Sequence, residues 1–163
     1  ATISSDGKPN SRIVLLKSYD DNGFVFYTNS KSKKGKAIKN NSSVALNFHW
    51  KSLQRQIRVE GDVSQISNSE ADKYYNSRPH GSKIGAWASL QSEELDDRST
   101  LIKRVEEFKK KFSNNDVPRP SYWNGYLVKP NLIEFWQEMS FRLHDRVEFK
   151  KEKENWVSRK LYP

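Results

Sequence analysis

The turn Asp20-Asp21-Asn22-Gly23 limits the fold more than any other stretch of this chain. It separates two short runs of strand-favouring residues, 12–17 and 24–28, and its residue types belong in a β-hairpin. A connection that short makes its strands antiparallel neighbours, because a parallel pair needs a crossover of a dozen residues or more. In the first run Ile13, Val14, Leu15 and Leu16 are consecutive and apolar, closed by Arg12 and Lys17. The pattern predicts a strand buried on both faces.

The same punctuation recurs along the chain. Residues 1–4 read as the end of a strand, followed by a turn at Asp6-Gly7-Lys8-Pro9. Residues 44–50 and 56–66 alternate as two further antiparallel strands, with Ile57, Val59 and Val63 on one face and Gln56, Arg58 and Glu60 on the other. Residues 126–128 and 132–136 return to strand, residues 142–149 predict another, and a last one falls near 155–158. One helix starts near Lys33, capped by Ser30 or Ser32. A second starts at the capping box Ser67-Asn68-Ser69-Glu70 and stops at Ser77-Arg78-Pro79. A third spans 97–112, with Leu101, Val105, Phe108 and Phe112 at helical spacing as a core stripe. Residues 85–92 read as a small-residue stretch and a polar turn. Seven or eight short strands in hairpin order, with two to four inserted helices, predict a mainly antiparallel β fold with peripheral helices, a barrel in a single domain over 1–163. A Rossmann fold is excluded, since there is no Gly-x-Gly-x-x-Gly and no regular strand–helix alternation.

Composition narrows the function classes. Only 34% of the 163 residues are hydrophobic, yet five Trp, seven Tyr and eight Phe supply large buried areas, so the chain reads as globular. There is no cysteine, which excludes disulfides, thiolate metal sites and a Cys nucleophile, and fits the reducing cytoplasm. No apolar run reaches membrane-spanning length. The formal charge of +9, from 29 basic and 20 acidic residues, implies a polyanion or small phosphorylated ligands as partners. Nucleic acid is the default for such a charge, but the basic residues are scattered and no helix-turn-helix, zinc-finger or RNP-type motif is present. His49, His80 and His144 form no compact metal motif, and neither a P-loop nor a Gly-x-Ser-x-Gly elbow occurs.

What remains are clusters of basic, hydroxyl and aromatic residues. Lys33-Lys34-Gly35-Lys36 puts cations into the first turn of a helix, against its dipole, where either a bound phosphate or plain solvation accounts for them. Tyr74 and Arg78 lie four apart on one helix face with Ser82 just beyond, as a phosphate trio or as an exposed aromatic–cation pair. A strand beginning at Arg142 places Arg142, His144 and Arg146 on one face, with Trp136 as a planar wall nearby. Two guanidinium groups around an imidazole call for an anion or planar acceptor, or for solvent at a strand edge. Together these clusters suit a phosphorylated aromatic cofactor and a phosphorylated substrate.

In their order these segments resemble a known family. Arg12-Ile-Val-Leu-Leu-Lys17, Phe26-Tyr27-Thr28-Asn29, Arg55-Gln56, Tyr74 to Ile84 with Ser77-Arg78-Pro79, Gly85-Ala86-Trp87, Gln91-Ser92, Glu134-Phe135-Trp136-Gln137 and Arg142-Leu143-His144-Asp145-Arg146 are similar, over nearly the whole chain, to those of the pyridoxine (pyridoxamine) 5'-phosphate oxidases. The resemblance implies an FMN-binding split β-barrel and a homodimer with FMN in clefts between subunits. It implies oxidation of pyridoxine or pyridoxamine 5'-phosphate to pyridoxal 5'-phosphate, with O2 as acceptor and hydrogen peroxide as product. It gives FMN to Arg12, Ile13, Val14, Leu15, Leu16, Lys17, Tyr27, Thr28, Lys33, Lys34, Gln56, Gln91, Ser92, Trp136 and Arg146. It gives the substrate phosphate to Lys17, Tyr74, Arg78 and Ser82 and the substrate ring to Arg142, Leu143 and His144, with Arg142 and His144 as the catalytic pair. It implies no metal, nucleic acid or membrane.

The chain departs from the family at three places. Lys33 stands where the family usually has Arg, a point charge in place of a bidentate fork. Lys160-Leu161-Tyr162-Pro163 stands for the usual Arg-Leu-Ala-Pro, and the family's substrate-covering N-terminal segment has no counterpart in the 163 residues. Two rival readings are a split-barrel flavin binder of other activity and a basic nucleic-acid-binding module. The first has no need of a second phosphate cluster, and the second predicts affinity that falls steeply with salt.

Overall fold

The computed structural model describes residues 1–113 and 116–163, in nine strands and four α-helices. The order is β1 (Thr2–Ile3), β2 (Pro9–Asn10), β3 (Leu16–Asp20), β4 (Gly23–Asn29), α1 (Lys33–Asn40), β5 (Ser43–Trp50), β6 (Arg55–Gln65), α2 (Asn68–Asn76), α3 (His80–Ala88), α4 (Arg98–Lys111), β7 (Trp123–Gln137), β8 (Asp145–Glu152) and β9 (Asn155–Lys160). Every strand pairing is antiparallel, so the expected fold class holds. None of the described helices is long and apolar enough to cross a membrane.

Strand β7 is the spine. Along one edge it pairs with β6 from Gln65↔Tyr126 to Arg55↔Gln137. Along the other edge its first half pairs with β4 and its second half with β8. Between the halves the register slips, with Gly61 opposite Pro130 and Glu60 opposite Leu132, so Asn131 is the extra residue. A proline has no N–H to give a ladder, and a bulge is where a strand tolerates one. Pro130 therefore marks a bulge within one strand, where the sequence pattern reads two. The sheet forks there into a β4–β3 wing and a β8–β9 wing, which is the split of the expected split barrel.

The sheet also curls. Strands β4 and β5 have two strands between them in sheet order, yet Phe24 and Phe48 meet with ring centroids 5.9 Å apart. Inside the curl lie Phe26, Val44, Val63, Tyr126 and Val128, with Ile38 of α1. Burying an aliphatic or aromatic side chain of this kind contributes about 1.5–3 kcal/mol each.

Helix α1 starts as expected, with Ser32 Oγ accepting from the Gly35 N–H at 3.2 Å. Helix α2 has its full capping box between Ser67 and Glu70 and ends at the Ser77 C-cap, so Arg78 lies just beyond the helix instead of on its face. Helix α3 is not predicted. It begins after Pro79 with no side-chain cap and contains Gly81 and Gly85, so none of the usual start signals marks it. The stripe of α4 covers α3 instead of the barrel: Trp87 sits 5.8 Å from Phe108 and 5.5 Å from Phe112, and no residue of α4 is itself fully buried.

Two strand expectations are corrected. Residues 12–15 form no strand, and β3 begins only at Leu16, with Ile13 95% and Leu15 66% exposed. A strand buried on both faces needs neighbours on both sides, and β3 is the last strand of its wing. Residues 140–142 form a 3₁₀ turn with Phe141 and Arg142 at φ +58° and +63°, so strand β8 starts at Asp145. Arg142, His144 and Arg146 therefore do not share one strand face.

Candidate active site

A cleft of about 580 Å³ opens between β4, the start of β7, α2 and α3. It gathers Leu15, Lys17, Tyr27, Thr28, Tyr74, Arg78, Ser82 and Gln91 from the residues singled out in the sequence. None of its lining residues is Asp or Glu. Its floor is aromatic: Tyr27 stacks on Tyr74 at 4.1 Å and on Trp123 at 5.1 Å, nearly parallel. Lys17 Nζ lies 5.7 Å from the Tyr74 ring centroid. Positive charge here faces rings and hydroxyls.

Lys34 extends the same arrangement into the protein. Its side chain is only 7% exposed, and its Nζ donates to Thr28 Oγ1 at 3.0 Å, Gln91 Oε1 at 3.3 Å and Ser32 Oγ at 3.4 Å. All three acceptors are neutral. Burial pushes the Lys34 ammonium below the usual lysine range, and the Arg12 guanidinium adds to the shift. The first turn of α1 carries no acidic residue, and Gly35 lets it lie against the preceding loop: a Cβ there would sit 2.4 Å from the Ser30 carbonyl oxygen. A buried cation with only neutral partners, beside a helix N-terminus, is suited to a phosphate. Arg12 and Lys33 line a separate hollow beside α1, and Arg12, Ile13, Val14 and Leu16 line another toward β5. Ser92 is exposed at φ +75° in the turn after α3.

A second group lies at the other end of β7. Gln56 is opposite Trp136 across the β6–β7 ladder, and Arg146 is opposite Trp136 across β7–β8. His144 packs on Trp136 with centroids 4.7 Å apart, and the Met139 N–H donates to its Nδ1 at 3.2 Å. That bond leaves Nε2 as the nitrogen that carries the proton of the neutral ring. Arg142 and Leu143 are exposed on the turn. Arg146 is committed inward: its Nε donates to Glu134 Oε1 at 2.7 Å and its Nη1 to the Tyr162 carbonyl at 2.9 Å. The bond to Glu134 raises the Arg146 pKa further. Glu134 is 3% exposed and also meets Arg58 Nη2 at 2.9 Å. Trp123 and Trp136 are thirteen positions apart on β7, on the order of 40 Å of strand. Gln56 and Trp136 line a hollow separate from the cleft.

Sequence reasoning passed over two residues that shape the cleft. Arg119 bonds Asp72 at 2.6 Å and Asn68 at 3.0 Å on α2 while donating to the Trp123 carbonyl at 2.8 Å, so it pins α2 to the start of β7. Trp123 lines the cleft. The signal for both was the Pro118-Arg119-Pro120 segment, a rigid approach to an aromatic doublet, Tyr122-Trp123.

Comparison with known proteins matches this geometry. Residues 1–112 match the family profile described as pyridoxamine 5'-phosphate oxidase, and residues 123–163 match the one described as pyridoxine 5'-phosphate oxidase C-terminal dimerisation region. Proteins from Brucella anthropi and Brucella canis named pyridoxine/pyridoxamine 5'-phosphate oxidase are each 53% identical over 165 aligned positions, covering 100% of this chain and 81% of theirs. Among solved structures, PhzG from Burkholderia lata 383, in complex with tetrahydrophenazine-1-carboxylic acid, superposes with a TM-score of 0.93 at 32% identity, over 99% of this chain and 79% of that one. A pyridoxamine 5'-phosphate oxidase-related, FMN binding protein from Nostoc punctiforme PCC 73102 shares the fold, with a TM-score of 0.78 at 14% identity over 99% and 85% of the two chains. With both profiles matched in order along the chain, and both contributing strands to one forked antiparallel sheet, this chain belongs to the pyridoxamine 5'-phosphate oxidase family.

Proposed function

We propose that the protein oxidises pyridoxine 5'-phosphate or pyridoxamine 5'-phosphate to pyridoxal 5'-phosphate, using FMN, with O2 as final acceptor and hydrogen peroxide as product, in the cytoplasm. The observation that carries the reading is the cleft with cations and no carboxylate, in a chain 53% identical to relatives bearing that activity in their names. The start of α1 fits the FMN phosphate, with Lys34 buried among neutral oxygens and Lys33 exposed beside it. Tyr27, Thr28, Gln91 and Ser92 extend that wall, and Arg12 to Lys17 on the open edge would hold the rest of the cofactor. When bound, FMN supplies the two-electron acceptor for the substrate's C4' carbon.

The chain's own residues hold the substrate and manage its proton. Lys17 and Arg78 give charge to the substrate phosphate, and Tyr74 and Ser82 give hydroxyl donors, the charge-assisted pattern that binds phosphate most tightly. Arg142, Leu143 and His144 meet the pyridine ring. His144, with Nδ1 already occupied as an acceptor, presents its Nε2–H as a hydrogen-bond donor to the 4' oxygen or nitrogen. Gln56, Trp136 and Arg146 lie with this second group, at the far end of β7 from the cleft. A complete site therefore takes one group from each of two copies, which agrees with a homodimer built through the dimerisation region.

An absorption spectrum tests the reading. Protein loaded with FMN and freed of excess keeps its flavin bands, bleaches when pyridoxine 5'-phosphate is added without air, and recovers its bands in air. Retained bands that never bleach would leave a flavin binder of other activity. No retained flavin would turn attention to the basic surface and a salt titration against nucleic acid.

A further inference from the structure

Arg78 has no acidic partner among the described residues. Its Nη1 is buried without a hydrogen-bond partner, and burial pushes its guanidinium below the usual arginine range. A desolvated charge with nothing to bond costs stability, so something else holds it in place. Two rings do: the guanidinium carbon lies 4.7 Å from the Trp123 centroid and 5.5 Å from that of Tyr75. Tyr75 is fully buried, and Trp123 is 8% exposed. Trp123 is fixed in turn, since it stacks on Tyr27 at 5.1 Å, meets Tyr75 edge-on at 5.1 Å, and has its carbonyl held by Arg119. A carboxylate in the same position would orient the guanidinium equally well but would neutralise it. A π face orients the cation and leaves its charge available.

We infer that Trp123 is the positioning residue of the substrate-phosphate site, an aromatic seat that aims the Arg78 guanidinium into the cleft with its charge uncompensated. The inference rests on the oxidase reading for the identity of the anion. Trp123 acts through Arg78, so its effect exists only while Arg78 is present. A merely structural tryptophan has no such dependence.

The test is a double-mutant cycle on flavin-saturated enzyme, comparing wild type, Trp123→Leu, Arg78→Ala and the double variant for oxidation of pyridoxine 5'-phosphate. Trp123→Leu raises KM about tenfold, the equivalent of a desolvated cation–π contact, with a smaller change in kcat. In the Arg78→Ala background the same substitution changes KM by less than about twofold. An unchanged KM in the wild-type background, or an equal rise in both backgrounds, overturns the inference. Should Trp123→Leu not fold, Trp123→Phe takes its place: a weaker ring face gives about a threefold rise that vanishes without Arg78, and no rise overturns the proposal. If wild type oxidises no vitamer phosphate, the oxidase reading fails separately. The cycle is then read from the dissociation constant for inorganic phosphate, with the same pattern expected and the same patterns overturning it.

Discussion

The cleft at one end of β7 and the buried ion pairs at the other treat positive charge in opposite ways. At the end near Trp123, Lys17 and Arg78 face rings, and Lys34 donates only to neutral oxygens. At the end near Trp136, Arg58 and Arg146 share the buried carboxylate of Glu134, and on the next strand Arg159 takes Glu148 at 2.6 Å. The same residue types are thus architectural where a carboxylate already answers them and receptive where none does. Removing one member of a buried ion pair strands the other, whereas removing a cation that had no counter-ion strands nothing in the protein. The difference separates residues that hold the fold from residues that await a ligand.

Five substitutions, with four expected effects, put that contrast at risk, in descending order of effect. Glu134→Ala leaves Arg58 and Arg146 without their shared partner and should cost about 3 kcal/mol of stability, read as a lower denaturant midpoint at unchanged slope. Arg78→Ala should raise KM for pyridoxine 5'-phosphate about 100-fold, a charge-assisted phosphate contact, while the flavin-free protein melts no earlier than wild type. Should Arg78→Ala destabilise as much as Glu134→Ala, the contrast between the two ends would be gone. Arg142→Ala and His144→Ala should each lower kcat about 30-fold with FMN still bound, since neither belongs to an ion pair among the described residues. Normal turnover in both would remove them from the chemistry. Lys33→Arg restores a bidentate fork and should tighten FMN about threefold in a fluorescence titration, the smallest of the four effects.

What the sequence made legible was local. The Asp20–Gly23 turn, the Ser32 cap and the Ser67–Glu70 capping box all rest on contacts within a few residues, and each stands in the structure where the pattern puts it. Helix α3 was hidden because proline and two glycines carry no helical signal and its stability comes from packing under α4. The run Ile13–Leu16 looked like core because an apolar segment awaiting a cofactor or second copy has the same pattern as one buried by its own chain. The start of β8 was misplaced because Phe141 and Arg142 take left-handed backbone angles that neither residue type announces. At the site, residue types pointed to phosphates, but that the residues fall into two groups at opposite ends of one strand is a property of β7's length and of the fork at Pro130. No spacing in the sequence encodes it.

We propose that a working site joins the Arg78 group of one copy to the His144 group of another. Arg78→Ala and His144→Ala subunits carrying different tags can be co-expressed, and the doubly tagged dimer isolated. Its activity, measured at substrate far below KM, is the direct test. Sites shared between copies leave one intact site in each mixed dimer, so about half of wild-type kcat/KM returns from two crippled parents. Activity no higher than that of either parent would contradict the account and place the whole site within a single chain.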